Sequence, residues 1–398
     1  MVKKRLLVLT PRFPYPAIGG DRIRILHICQ ALSSHFEITL LSLCETREEM
    51  CFQPPDGLFS AIERIHLPRW RSYLNTALAI PGTRPLQLAY YHSAKFREKM
   101  NSLLPQHDLV LAHLIRAGQY IEDLPALKIV DMTDAISMNY QRIRQLSGSY
   151  NWKKLVYLVE QSRLKSYELQ TVQKFDRVWL TSDVDRSFLD PGHIWPIDVI
   201  PCGAELEKLP FRPPASEANV IVFIGNMVTL QNQDACHYFI QNIFPKVRAQ
   251  KQVVFRIVGS APEAIQAQFR KYPDVQMTGR IERIQDGVED AFCGICPVRA
   301  GAGIQTKILE YLALGLPCVT STVGLSGVEA RSGVEVLEYQ DADEAAQHIL
   351  MLHSDPALRL RIASAGRKLV CRKYDWESVH SAIIDSCLKV SDRRSRLS

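Results

Sequence analysis

The chain lacks any apolar run near the ~20 residues that a helix needs to cross a bilayer. It also lacks the features of a secretory leader. Lys3-Lys4-Arg5 gives a basic start, but the apolar stretch behind it is short and no small-residue cleavage site follows. A buried first strand and a cytoplasmic protein are expected. The 10 cysteines follow no secreted-type spacing and read as reduced, small apolar residues. Cys293-Gly294-Ile295-Cys296 matches C-x-x-C, but no second pair completes a zinc site and the surrounding run reads as a buried strand. There is no zinc-finger or RNP-type signature, and a net charge of +6 is small for a nucleic-acid binder. That sign fits an anionic small substrate or an anionic membrane surface, and no nucleic acid is expected as a partner. Internal repeats and low-complexity segments are absent too.

What is present is the balance of a globular protein, with 46% hydrophobic and 23% charged residues. At 398 residues, two domains are expected. Strand and helix patterns alternate, which predicts an α/β fold with parallel sheets covered on both faces. Strands are predicted over 6–9, 38–43, 109–112, 128–131 and 177–181, with helices from about 21 and over 152–174. The pattern restarts near Pro201, and the proline-rich residues 210–215 read as a linker. Then come strands over 220–224, 253–258, 291–298 and 318–321, helices over 234–249, 262–271 and 306–315, and three closing helices. This predicts two Rossmann-like domains facing a central cleft, over 1–200 and 201–374, with a last helix over 375–398 crossing back to the first.

Chemistry concentrates in residues 297–310, PVRAGAGIQTKILE, where a strand ends, a glycine loop follows and a helix begins. Glycines let backbone N–H groups converge on an anion, and a helix start adds about half a positive charge. Lys307 and Arg299 supply full charges for a diphosphate. Glu310 shares a face with Lys307 one turn further on, roughly 5 Å away, about the offset from a diphosphate to its ribose. Both side chains are expected on the helix face away from the core. The spacing fits equally a glycine loop before an ordinary helix with a surface Lys–Glu pair. It is neither a dinucleotide fingerprint, since Thr306 replaces the third glycine, nor a P-loop, since no glycine directly precedes Lys307.

Residues 301–319 resemble the donor-site motif of family 4 retaining glycosyltransferases, which have the GT-B fold. Other pieces follow that family's order. Gly19-Gly20 sits at the N-terminal glycine loop, and Val199-Ile200-Pro201-Cys202-Gly203 resembles the interdomain "IPNG" run. Phe223-Ile224-Gly225-Asn226-Met227 resembles the strand-loop opening the second domain, Gln276 to Arg280 the "TGR" segment, and Tyr374-Asp375-Trp376-Glu377 the start of the closing helix. Thr83-Arg84-Pro85-Leu86-Gln87 resembles a bacterial exopolysaccharide-associated subgroup.

The resemblance implies a hexosyl-type transfer from a nucleotide-sugar donor to a glycan or lipid-linked acceptor, with retention, and no metal or other cofactor. Glu310 would hold the ribose hydroxyls. Lys307, Arg299 and the backbone at Gly303, Ile304, Gln305 and Thr306 would neutralise the leaving diphosphate, with Gly225 also in the donor site. Gly19 and Gly20 would let the first domain approach. His113, closing an apolar run, would be the family's active-site histidine, although a histidine capping a strand fits as well; Arg116 is a further candidate nearby. Two positions depart from the pattern. Ala302 stands where the first motif glutamate is usual, and residues 225–233 lack the usual basic pair. A sugar-nucleotide epimerase and a non-catalytic GT-B subunit of a polysaccharide assembly complex are the alternatives.

Asp183-Val184-Asp185 and Asp341-Ala342-Asp343 match the D-x-D pattern of metal-dependent transferases, but three acidic letters recur by chance, and the second also reads as a helix start. Residues 64–99 interleave Arg64, Arg69, Arg71, Arg84, Lys95, Arg97 and Lys99 with Trp70, Tyr73, Tyr90, Tyr91 and Phe96. That mixture predicts an acceptor-side surface peripheral to the inner face of the cytoplasmic membrane; a solvated helical face is the other reading.

Overall fold

The computed structural model describes residues 3–146, 151–213 and 217–392, so two residues of the expected linker, Pro214 and Ala215, lie outside it. The chain divides into two compact units. One comprises Met1–Arg144, Gly148–Pro201 and Val379–Ser398; the other comprises Cys202–Ser378 with residues 145–147.

The first unit holds seven strands: β1 (Lys4–Thr10), β2 (Phe36–Cys44), β3 (Ala61–His66), β4 (Leu109–His113), β5 (Lys128–Thr133), β6 (Arg177–Leu180) and β7 (Ile197–Val199). All pair in parallel, in the order β3-β2-β1-β4-β5-β6-β7. The central strands are continuous apolar runs because helices cover both faces, and residues 6–9 of β1 are fully buried. The second unit holds β8 (Val220–Ile224), β9 (Val254–Val258), β10 (Val275–Gly279), β11 (Ala291–Cys296), β12 (Cys318–Ser321) and β13 (Leu337–Tyr339). These are again parallel, ordered β10-β9-β8-β11-β12-β13.

In each sheet the strand order reverses at one place, between β1 and β4 in the first unit and between β8 and β11 in the second. In open parallel sheets, ligands settle beyond the carboxyl ends of the strands at such a reversal. Each unit therefore has one candidate ligand position.

Several elements differ from expectation. The helix expected over 234–249 starts four residues earlier, as Leu230–Tyr238, and continues through a π-helical turn, Phe239–Ile243, into Phe244–Arg248. The segment read as a linker is partly fastened, since Arg212 N–H donates to Leu314 O at 3.0 Å. The chain changes unit at Pro201 instead, and again at Val379 within the helix Trp376–Ser391. That helix is held by Ser386, whose hydroxyl accepts from Trp179 Nε1 at 2.8 Å and donates to Asp198 at 2.5 Å.

Candidate active site

In the second unit, β11 carries Gly294 because a ring lies against it. A Cβ there would come within 2.6 Å of Tyr311. The Tyr311 hydroxyl accepts from Ile224 N–H of β8 at 2.8 Å and donates to Ile295 O of β11 at 3.2 Å. One side chain thus seats the helix Thr306–Leu314 across both strands of the switch point. Ahead of that helix, Gly303 adopts φ 64, a left-handed conformation that costs other residues roughly 1–2 kcal/mol. Gln305 precedes the helix without a side-chain cap; the Ile308 N–H bonds back to Gln305 O at 2.9 Å, which leaves the Thr306 and Lys307 N–H groups for an anion.

Lys307 projects into this corner. Its Nζ donates to Asn232 Oδ1 at 3.2 Å and Gln305 Oε1 at 3.3 Å, and lies 5.1 Å from the centre of the Phe223 ring. Both acceptors are neutral amides, so they orient the ammonium without cancelling its charge. Asn232 also donates to Asn226 O at 2.8 Å, tying Lys307 to the loop after β8. In that loop a Cβ on Gly225 would meet Asn232 Nδ2 at 2.8 Å. Gly225, Gln305 and Lys307 are thus brought together. Lys307 is only 8% exposed, which corrects its expected position on the face away from the core: its alkyl stem packs inward and only the ammonium reaches the polar corner. Ile304 belongs to the hydrophobic core, so only its backbone can serve a ligand, while Thr306 is exposed.

Arg299 is not a free charge. It makes two bonds to Asp234, Nε–Oδ2 at 3.0 Å and Nη2–Oδ1 at 2.5 Å, and its guanidinium lies 4.7 Å over Tyr238. Asn232 and Asp234, on the helix Leu230–Tyr238, carry no sequence signal for this site, since they act through acceptor oxygens rather than as the basic pair usual there. Glu310 is part-buried; burial raises its pKa, Lys307 lowers it and Glu205 adds to the rise. Ala302 is half-buried between the two glycines.

In the first unit, Gly19 has φ 100 and precedes the helix Gly20–Ser33; both glycines are exposed. His113 ends β4 and is 3% exposed. Its Nδ1 donates to Asp131 Oδ2 at 2.9 Å, which leaves Nε2 buried with no partner among the described residues. Asp131 lies opposite on β5 and is fully buried, and Arg24 binds both its oxygens at 2.9 to 3.1 Å. A third guanidinium nitrogen of Arg24 donates to Pro201 O at 3.1 Å. Burial pushes the Asp131 pKa up, but Arg24 and His113 outweigh it and hold the carboxyl far below the usual range. Sequence reasoning missed this pair. The one available signal was a carboxylate closing the apolar run of β5.

The acidic pairs and the aromatic stretch resolve differently from one another. Asp341 caps the helix Ala342–Ser354 by accepting from the N–H groups of Asp343 and Glu344 at 2.9 Å each. Asp185 is buried and accepts from Ala135 N–H at 2.7 Å. One aspartate of each D-x-D match is thus bonded to backbone N–H groups, while Asp183 and Asp343 form surface ion pairs with Arg186 and Lys246. Cys293 and Cys296 are buried in β11, and both are unpaired thiols. Within residues 64–99 the continuous basic-aromatic surface breaks up. Phe96 and Tyr91 are buried, and Arg64 turns inward to donate to Met50 O and Phe52 O. The apolar part that stays outside is on the helix Arg69–Ala79, with Trp70 67% and Leu78 72% exposed and Tyr73 and Leu74 beside them, while Arg84, Lys95 and Arg97 are exposed elsewhere in the stretch.

Residues 218–355 match the family "Glycosyl transferases group 1". The chain is 21% identical over 399 residues to an uncharacterized 44.6 kDa protein in the cps region of Klebsiella pneumoniae, covering 95% of this chain and 98% of that protein. It superposes on a sucrose-phosphate synthase from Thermosynechococcus elongatus with TM-score 0.74 and 15% identity, covering 97% and 99% of the two chains. Anabaena HepE, in a structure holding UDP and glucose, gives TM-score 0.67 and 14% identity, covering 96% and 99%. The family match and the fold together support a glycosyltransferase of the GT-B class.

The buried Arg24–Asp131 pair makes a stability prediction. Asp131→Asn leaves the Arg24 charge uncompensated and should lower unfolding free energy by about 3–5 kcal/mol in urea titration, against at most about 2 kcal/mol for His113→Gln. In the parent, the depressed Asp131 pKa contributes stability that is full above the ordinary aspartate value near 4 and lost as pH falls below it. Equal effects of the two substitutions would contradict the charge-pair account.

Proposed function

We propose that the chain is a retaining, hexosyl-type glycosyltransferase that moves a sugar from a nucleotide-sugar donor to a glycan or lipid-linked acceptor in polysaccharide or glycoconjugate biosynthesis. The observation that carries this reading is Lys307, aimed by two neutral amides into the corner between a glycine loop and a helix start at the β8/β11 switch point. A leaving diphosphate gains negative charge as the glycosidic bond breaks. A cation held in place beforehand stabilises that change without reorganising. Glu310, one turn along, takes the ribose hydroxyls. Because leaving-group stabilisation does most of the work, acceptor attack and departure on one face need no flanking carboxylate pair. Nor do we assign a metal, since both D-x-D motifs are spent on helix starts and a loop amide. The cps-region relative and the UDP and glucose bound by HepE support the polysaccharide setting and the donor class.

The helix Arg69–Ala79 supports a peripheral membrane position. Trp70, Tyr73, Leu74 and Leu78 follow helical spacing along one exposed stripe, with Arg69 and Arg71 beside it. Among the described residues no helix is long and apolar enough to cross a membrane. A short helix of this kind lies in the interface instead, its basic residues favouring anionic lipid by about 1 kcal/mol each near the surface.

Three measurements test these readings. Calorimetric titration with UDP should show affinity falling about tenfold to a hundredfold for Glu310→Gln, since charge-assisted hydrogen bonds contribute about 1.5–3 kcal/mol. Lys307→Met keeps the packed stem and should lower turnover about a hundredfold or more, with a smaller effect on UDP. In the parent, UDP affinity should decline as pH falls through the raised Glu310 pKa, starting above the ordinary glutamate range, because the ionised form binds the hydroxyls. Unchanged UDP binding by Glu310→Gln would remove the donor site from this position. For the membrane, sedimentation with vesicles should favour anionic over neutral lipid and be lost on Trp70→Ser with Leu78→Ser; equal binding to both vesicle types would reject it.

A further inference from the structure

The first sheet also has a switch point, and its loops carry charge that the donor chemistry does not use. Arg12 lies two residues beyond β1 and Arg116 three beyond β4, so the two arginines flank the crevice where β1 and β4 part. Between β4 and Arg116 the chain turns sharply at Leu114, φ 65, a conformation that a leucine holds only when its surroundings impose it.

Both arginines converge on one ring. Arg12 Nε donates to the Tyr91 hydroxyl at 3.0 Å, and the Arg116 guanidinium lies 5.4 Å over the same ring while its Nε donates to Gln87 Oε1 at 2.9 Å. Tyr91 is itself buried. Each guanidinium is thus anchored through Nε, which sets its plane and leaves the terminal nitrogens for a ligand. The nearest carboxylate to Arg12 is Asp21, at a loose 3.6 Å from Nη1. Near Arg116 the acid is Asp134, whose pKa is pushed up to about 7 by burial and by Asp185 against the pull of Arg116, so it only partly offsets that charge near neutral pH.

We propose that the β1/β4 crevice is an oxyanion site in which Arg12 and Arg116 together hold a phosphoryl or carboxylate group carried by the acceptor. Two guanidinium forks, one fixed at the hydroxyl and one over the face of the same ring, match the planar edges of an oxyanion. A neutral sugar hydroxyl could accept one hydrogen bond from such a fork but would bring no charge to match either guanidinium. The oxyanion site stands on the first unit's geometry alone; its assignment to the acceptor rests on the glycosyltransferase reading.

The test uses the full chain saturated with UDP, titrated calorimetrically with inorganic phosphate and separately with acetate. Saturable binding of one of these is expected, phosphate pointing to a phosphoryl acceptor and acetate to a carboxylate. Arg12→Gln and Arg116→Gln should each weaken that binding about tenfold or more, Arg116→Lys should weaken it less, and Lys307→Met should leave it unchanged. Thermal denaturation of each variant identifies any that fails to fold; Arg12, 40% exposed in its side chain, is the safer substitution. No binding of either anion, or binding indifferent to both arginines, overturns the site. Loss of UDP affinity in the arginine variants, equal to the loss for phosphate, overturns the acceptor assignment and gives the arginines to the donor. If UDP fails to bind the parent while phosphate still depends on Arg12 and Arg116, the oxyanion site survives and the glycosyltransferase reading is what fails.

Discussion

The Tyr311 hydroxyl is the contact on which the second unit's chemistry depends. It accepts from β8 and donates to β11, with its ring against Gly294, and so fixes one helix across the two strands where the sheet reverses direction. Lys307 and Glu310 precede Tyr311 on that helix by four residues and one, and their position relative to the glycine loop follows from this seating. A buried, doubly bonded hydroxyl resists displacement because a broken bond would leave a buried backbone group unsatisfied.

Around this fixed helix the site departs from the pattern that its sequence resembles. Residues 225–233 bring no cation. They bring Asn232 instead, which orients Lys307, and Asp234 follows to hold Arg299 in a two-point pair. Arg299 is therefore paired with Asp234, while Lys307 is oriented by neutral amides, and the diphosphate of the proposed donor would share Arg299 with Asp234. In the first unit Arg24 is held by Asp131 and Pro201 O, while Arg12 and Arg116 are anchored through Nε by the neutral Tyr91 and Gln87.

The parts of the fold legible in the sequence were those with one dominant physical signal. Central strands such as β1, β4, β8 and β11 are buried on both faces and read as continuous apolar runs. The four strands not anticipated, β3, β7, β10 and β13, are the outermost of the two sheets; they are short or half-exposed, so their residues alternate or mix. The same logic governs the site. A glycine loop feeding a helix with a lysine was visible, because spacing along one segment encodes it. Asn232, Asp234, Arg24 and Asp131 were not, because each acts on a residue far away in sequence, and only the sheet order brings them together.

Hydrogen exchange measured by mass spectrometry with and without UDP tests the central claim most directly. The account predicts that UDP slows exchange in two separate stretches of the second unit, the loop and helix start at 225–232 and the segment 298–310, because these meet at the β8/β11 switch point. Protection confined to other strand ends of that sheet, or no protection at saturating UDP, would contradict it.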